Sequence, residues 1–212
     1  MRLNLGASLV ISNPQRRLVL ASNSAARRRL LETARLDFEV VVGEFDERGA
    51  ERDFFEQGGE AKNLSAALAR AKALAASQVR PHAECLGADQ VLILEDEIMH
   101  KPASVQEARH HILRLSGRTH ILSSAFAIAR DGVVRRAEVD CAELTMRNLS
   151  EAQVELYLRS AGNEAIKSVG AYQIEGFGIH LFERIQGDQS TIMGLPMLKL
   201  LAWLRRDGLV LL

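Results

Sequence analysis

The chain has 212 residues, with 27 basic and 27 acidic side chains and a formal net charge of zero. That balance excludes a general polynucleotide- or membrane-binding surface, because both need a basic excess. Hydrophobic residues at 47% and charged residues at 25% exclude a disordered chain and suit one domain with a sizeable core.

Residues 1–16 read as an N-terminal extension whose apolar patch is too short for a secretory signal. Residues 17–212 read as a single domain. Leu18-Val19-Leu20-Ala21 predicts a buried strand. Ser22-Asn23-Ser24 leads into a helix through about Ala34, with Leu30 and Leu31 facing inward. A second strand is predicted over 38–42. Residues 44–56 carry six acids and two bases and read as a loop. A long Ala-rich helix is predicted over 61–77, with Leu64, Leu68, Ala71 and Ala75 on one stripe. Residues 86–94 read as a strand, and Glu95-Asp96-Glu97 as a turn.

Ser104 and Glu107 form a capping box for a helix that ends near Ser116-Gly117. Two extended segments follow, 119–129 and 133–147, and Asp131-Gly132 between them is a strong hairpin signal. Ser150 and Gln153 form a second capping box, for a helix to about Arg159. Pro196 takes the first position of a last helix, which Asp207-Gly208 stops. Strands and helices alternate around one antiparallel hairpin, which predicts an α/β chain with a mixed sheet. Cys85 and Cys141 form no CxxC pair and read as core fillers in a reducing compartment. No apolar run approaches the ~20 residues of a membrane span.

Several segments can carry chemistry. A helix opening after Ser22 and Ser24 offers free N–H groups to a phosphate, and Arg27, Arg28 or Arg29 in its first turns can clamp one. The plainer reading makes Ser24 an N-cap and the arginines a solvated face. Asp89 lies within an apolar strand run, where burial raises a carboxyl pKa unless a cation compensates. Such an Asp holds a divalent ion or activates a water, unless it merely faces solvent. Asp46-Glu47 offers hard carboxylates that suit Mg²⁺ or Mn²⁺ when phosphates complete the coordination. Lys72 interrupts an Ala/Leu helix, and Lys101 is fixed by Pro102. Gly170, Gly176 and Gly178 imply tight turns or close ligand approach. His110 and His111 diverge by about 100° on a helix and cannot easily share a metal. No Walker A loop occurs.

In this order and spacing the segments resemble the Maf family of nucleotide pyrophosphatases, from about residue 18 to 209. The family opens on S-x-S-P-R-R-x-x-L-L, and this chain reads SNSAARRRLL. It keeps both serines, Arg27 and the leucine pair, and replaces the Pro and first Arg with Ala25 and Ala26. Asp46-Glu47 matches the acidic pair, and 68–73 matches L-A-x-x-K-A, with Lys72 as the lysine. G-[AS]-D-x-[VI] falls on 87–91, K-P on Lys101-Pro102, and S-G-x-T-H on 116–120. G-A-Y-x-I-x-G-x-G falls on 170–178, and G-L-P on 194–196.

The resemblance implies a Maf/ITPase-like mixed sheet, elongated, with an active-site cleft between two lobes, in a homodimer, and the weak N-terminal signal with unpaired cysteines makes the expected location cytoplasmic. It implies hydrolysis of a nucleoside triphosphate to the monophosphate and pyrophosphate with Mg²⁺ or Mn²⁺. Asp89 would be the water-activating base or a metal ligand, and Glu47 a metal ligand. Arg27, Lys72 and Lys101 would neutralise the triphosphate, and Ser22 would bond a phosphate oxygen. Ala26, Gln90 and Glu175 fall where the family's branches differ by base. Gln and Glu side with the branch acting on 7-methyl-GTP, while Ala26 lacks that branch's Trp. Glu175 suits guanine's paired N–H edge and opposes the carbonyls of uracil and thymine. A purine-leaning pyrophosphatase with a role in clearing modified nucleotides is therefore expected. The alternatives are a nucleotide-binding regulator of cell division with little catalysis, and a polynucleotide-binding domain. Zero charge and few aromatics oppose the last.

Overall fold

A computed structural model describes residues 16–210. The expected extension lies outside these residues except for Arg16, whose guanidinium pairs with Glu84 and Asp207. Strand β1 (Leu18–Ala21) is buried along its length. It runs parallel to β2 (Phe38–Val40) on one side and to β3 (Glu84–Leu94) on the other. The short β4 (Glu97–Met99) folds back antiparallel on β3. β5 (Thr119–Arg130) and β6 (Val133–Met146) form the predicted hairpin. Its turn residues Asp131 and Gly132 both have positive φ, 51° and 74°, as a tight two-residue hairpin turn requires. With β7 (Phe182–Gln186) the order is β2-β1-β3-β5-β6-β7, and β4 pairs with β3. The mixed α/β sheet expected from the sequence is present.

One irregularity of this sheet positions the site. β1 pairs with β3 as far as Ala21 and Gly87, and pairing of β3 with β4 begins at Leu92, opposite Met99. Between them, residues 88–91 of β3 have no strand on that side, while β5 continues along the other. Asp89 and Gln90 lie in this gap. Neighbouring residues of a strand point to opposite faces, so the gap opens on both faces of the sheet.

The helices are α1 (Ala25–Thr33), α2 (Glu47–Glu56), α3 (Ala61–Val79), α4 (Val105–Leu115), α5 (Glu151–Ala161), α6 (Gln189–Ile192) and α7 (Met197–Arg206). Ser24 caps α1, accepting from the Arg27 N–H at 3.4 Å. The Ser150–Gln153 box on α5 is reciprocal. The Ser104 box on α4 is only half formed, because the Glu107 carboxylate reaches Ala103 N–H instead. Pro196 is the N-cap of α7 and not its first residue.

Other expectations are corrected. Of residues 44–56, only 44–46 are loop, and 47–56 form α2. Asp46 caps α2 by accepting from the Gly49 N–H at 3.0 Å, and Ala50 and Phe54, four apart, pack near Leu64 and Leu68. The buried face of α3 runs through Leu64, Leu68, Ala69, Ala73 and Ala76, and leaves Ala71 and Ala75 half-buried. β2 stops at Val40, and Val42 is exposed. Glu97 begins β4 instead of ending a turn. Cys85 is a core filler, whereas Cys141 is exposed on β6.

Two residues from separate matched motifs meet in the core. His120 on β5 is 1% exposed, and its Nε2 lies 2.6 Å from the Tyr172 hydroxyl. Tyr157 donates to the Ala171 carbonyl at 3.0 Å, so the glycine-rich segment is pinned from two sides. Burial pulls the His120 imidazole down from 6.5 to about 4. The unfolded chain takes up this proton more readily than the folded one as pH falls between those values. The stability contributed by the neutral ring is therefore complete above pH 6.5 and falls by roughly 3 kcal/mol as pH 4 is approached. His120→Gln cannot titrate, and its urea midpoint is expected to fall less than the wild type's over this range. Parallel profiles would refute the assignment.

Candidate active site

A cleft of about 1460 Å³ opens at the gap in the sheet. The turn after β1, α2, α3, β3, the loop after β4 and the glycine-rich segment all line it. Every site residue expected from the sequence is among its lining residues.

At its base lies a compact ionic cluster. Lys72 Nζ is 2.5 Å from Asp89 Oδ1 and 2.6 Å from Glu47 Oε2. The expected acidic pair has divided its work: Asp46 caps the helix, and Glu47 turns to Lys72. The close approach of α3 to β3 depends on Gly87, where a Cβ would overlap the Ala69 carbonyl and the Ala73 nitrogen. The small residues of α3 allow its backbone to lie directly on the strand, and this brings Lys72 against Asp89. Asp89 is 5% exposed. Burial raises its pKa, the charges of Lys72 and Arg27 oppose that, and Glu47 adds to it. Burial also disfavours ionised Glu47, but Lys72, with Lys101 and Arg27 behind it, holds that carboxyl below its ordinary value.

Arg27 fills the gap in the sheet. Its Nη1 donates to the Ala88 carbonyl at 2.9 Å and to Ser22 Oγ at 3.2 Å, and its Nε donates to the Gly194 carbonyl at 2.8 Å. Two of its three nitrogens are thus committed to protein oxygens, which leaves Nη2 for a ligand. Lys101 makes no hydrogen bond or ion pair with a described residue. Desolvation and the charges of Arg27 and Lys72 pull its pKa down, against Glu47 and Asp89. The loop that carries Lys101 is tied to α2 by His100, whose Nε2 lies 3.4 Å from Glu51 Oε1. Ala26 and Glu175 line the cleft without a polar contact to the cluster.

The profile of the family described as Maf-like protein matches residues 17–207. The chain belongs to the Maf family. A "7-methyl-GTP pyrophosphatase" of Mesorhizobium japonicum is 47% identical over 194 residues, covering 92% of this chain and 98% of the relative. A protein of the same name from Brucella suis is 46% identical over 191 residues, covering 90% and 96%. A "Nucleoside triphosphate pyrophosphatase" of Bradyrhizobium diazoefficiens is 45% identical over 193 residues, covering 91% and 95%.

In this Maf chain the sequence reading missed two contributions to the site. Gly87 stands in the sequence only as part of a motif, yet it sets the distance between α3 and β3. The short α6 and the turn after it hold both Gln90 and Arg27 through backbone carbonyls. Asp188, which caps α6 by accepting from the Ser190 and Thr191 N–H groups, was the local signal available. Among the described residues no three of His, Cys, Asp and Glu gather as a metal cage.

Proposed function

We propose that this chain hydrolyses a nucleoside triphosphate between the α- and β-phosphorus, releasing the monophosphate and pyrophosphate. The observation that carries this reading is the convergence of Arg27, Lys72 and Lys101 with Asp89 and Glu47 in one cleft. The relatives' names support it. Attack on phosphorus develops charge on non-bridging and leaving oxygens, so fixed cations around a carboxylate base are the machinery it needs. Water adds to the α-phosphorus, the bond to the bridging oxygen breaks, and Asp89 accepts the water's proton. Lys101 and Nη2 of Arg27, which have no protein oxygen to hold, would take phosphate oxygens. Ser22 would add its hydroxyl.

The residues also fit a small hard cation. Two carboxylates already converge on one positive group, the Lys72 ammonium, in the place a divalent ion would share. Glu47 and Asp89 would hold Mg²⁺ or Mn²⁺, with substrate phosphates supplying the remaining ligands. Such an ion would neutralise developing phosphate charge. Two carboxylates without a third make tight binding of the ion without nucleotide unexpected.

The base is read on the other side. Glu175 and the Gln90 carbonyl oxygen are acceptors, which suits the N1–H and N2–H₂ edge of guanine, methylated or not. Ala26 gives no aromatic surface for a cationic 7-methylguanine ring, so the advantage of the methyl group is expected to be small. A cytoplasmic homodimer without polynucleotide or membrane partners completes the reading. Among the described residues no helix is long and apolar enough to cross a membrane.

Pyrophosphate release from GTP, 7-methyl-GTP, UTP and dTTP, with Mg²⁺ or Mn²⁺ and with chelator, tests this. Release from the two guanine nucleotides in excess of UTP and dTTP, lost with chelator, is the expected result. A preference for UTP or dTTP overturns the base reading, and no release from any of them overturns the reaction.

A further inference from the structure

Gln90 follows Asp89 on β3 and therefore projects to the opposite face of the sheet. Its amide is tightly held. Nε2 lies 2.9 Å from the Ile192 carbonyl, 3.1 Å from the Thr191 carbonyl and 2.9 Å from Ser124 Oγ. Carbonyl oxygens only accept, so the NH₂ end must face them. The Ser124 hydroxyl gives its own proton to the Thr191 carbonyl at 2.7 Å, so toward Gln90 it too accepts. Every donor of the amide is consumed, and only Oε1 remains for a ligand.

The backbone that holds Gln90 also holds Arg27, through the Gly194 carbonyl at 2.8 Å. A methyl carbon at Gly194 would lie 3.4 Å from Arg27 Nε and 3.6 Å from Gln90 Oε1. Residues 191–194 thus bring the acceptor that would meet the base and the cation that would meet the phosphates to one short turn. A second set of contacts anchors this turn. Thr191, fully buried, donates Oγ1 to Asp140 Oδ2 at 2.8 Å. The other Asp140 oxygen pairs with Lys199 Nζ at 2.6 Å, and Lys199 also donates to the Val139 carbonyl at 2.7 Å. Ser124, Asp140, Thr191 and Lys199 are absent from the cleft wall.

We propose that Thr191, braced by Asp140, is a positioning residue for nucleotide selection. It fixes the 191–194 turn, and the turn holds Gln90 with only its acceptor facing the substrate. A base edge with adjacent N–H groups, as in guanine, is then accepted, and the uracil edge, whose single N3–H is flanked by two carbonyls, is opposed. If the turn is loosened, the amide can rotate and offer a donor, and discrimination between guanine and uracil nucleotides falls. This inference rests on the pyrophosphatase reading of the site.

Thr191→Val removes the hydroxyl at nearly constant volume and keeps the carbonyl that Gln90 uses. Pyrophosphate release from GTP and UTP is measured for the wild type, Thr191→Val and Thr191→Ser. The expected result is a roughly 10-fold fall in the GTP-to-UTP ratio of kcat/KM for the valine variant. It should arise mainly through KM, with recovery in the serine variant. A purely structural role would lower thermal stability and depress both substrates alike. A folded Thr191→Val with an unchanged ratio overturns the proposal. If that variant does not fold, Ser124→Ala, which removes one of the three acceptors, must lower the ratio, and an unchanged ratio there overturns the proposal instead. Calorimetric binding of GTP and UTP runs in parallel. A wild type that binds without hydrolysis overturns the pyrophosphatase reading, and the binding ratio then decides on Thr191. A wild type that does neither overturns both.

Discussion

Asp89→Asn is expected to lower kcat for pyrophosphate release by about 10³-fold, with KM changed by no more than a few-fold. Asparagine is nearly isosteric and can still accept from Lys72 through its carbonyl oxygen. It cannot take a proton from water, and it brings no charge to a divalent ion shared with Glu47. Arg27, Lys101 and Ser22 remain, so nucleotide binding should persist. The fold should persist as well, because the buried carboxylate is held against its own desolvation and against Glu47. Steady-state kinetics together with a thermal melt separate the two effects. Turnover near the wild-type rate would remove Asp89 from the chemistry.

Gly87→Ala should have the largest effect on stability, about 3 kcal/mol or more. The obstacle is backbone, the Ala69 carbonyl and the Ala73 nitrogen, and not the end of a flexible side chain. Either α3 moves off the sheet or the strand bends, and both movements separate Lys72 from Asp89. For a chain of this length the melting temperature should fall by roughly 6–12 °C. Activity at low temperature should fall with it, because the ionic cluster opens. A variant that melts within 2 °C of the wild type, by our rough threshold, would show that the contact yields easily.

Where neighbours in sequence hold the information, the fold was legible. Asp131-Gly132 specifies a hairpin because its two residues must supply positive φ. Ser150 and Gln153 specify a helix start because they satisfy each other's backbone donors. α2 was missed because six acids in 13 residues mask one short apolar pair, Ala50 and Phe54, which becomes meaningful only when α3 is present to cover it. β7 was missed because its burial scarcely alternates and a register shift interrupts its pairing with β6. The site was legible as a set of matched motifs but not as geometry. Nothing near Lys72 or Asp89 in sequence shows that they share a proton donor and acceptor 2.5 Å apart. Nor could the sequence show that most of the Arg27 guanidinium serves protein oxygens, because two of its three acceptors, the Ala88 and Gly194 carbonyls, lie 61 and 167 positions away.

The interruption between β1 and β4 has a consequence for how such a chain can diversify. Asp89 and Gln90 are adjacent, yet the sheet itself lies between their side chains. A substitution at 90 disturbs α6 and the turn after it, while one at 89 disturbs α3. Drift in base preference can therefore leave Lys72 and Asp89 undisturbed, but it reaches Arg27 through the turn that Gln90 and Arg27 share.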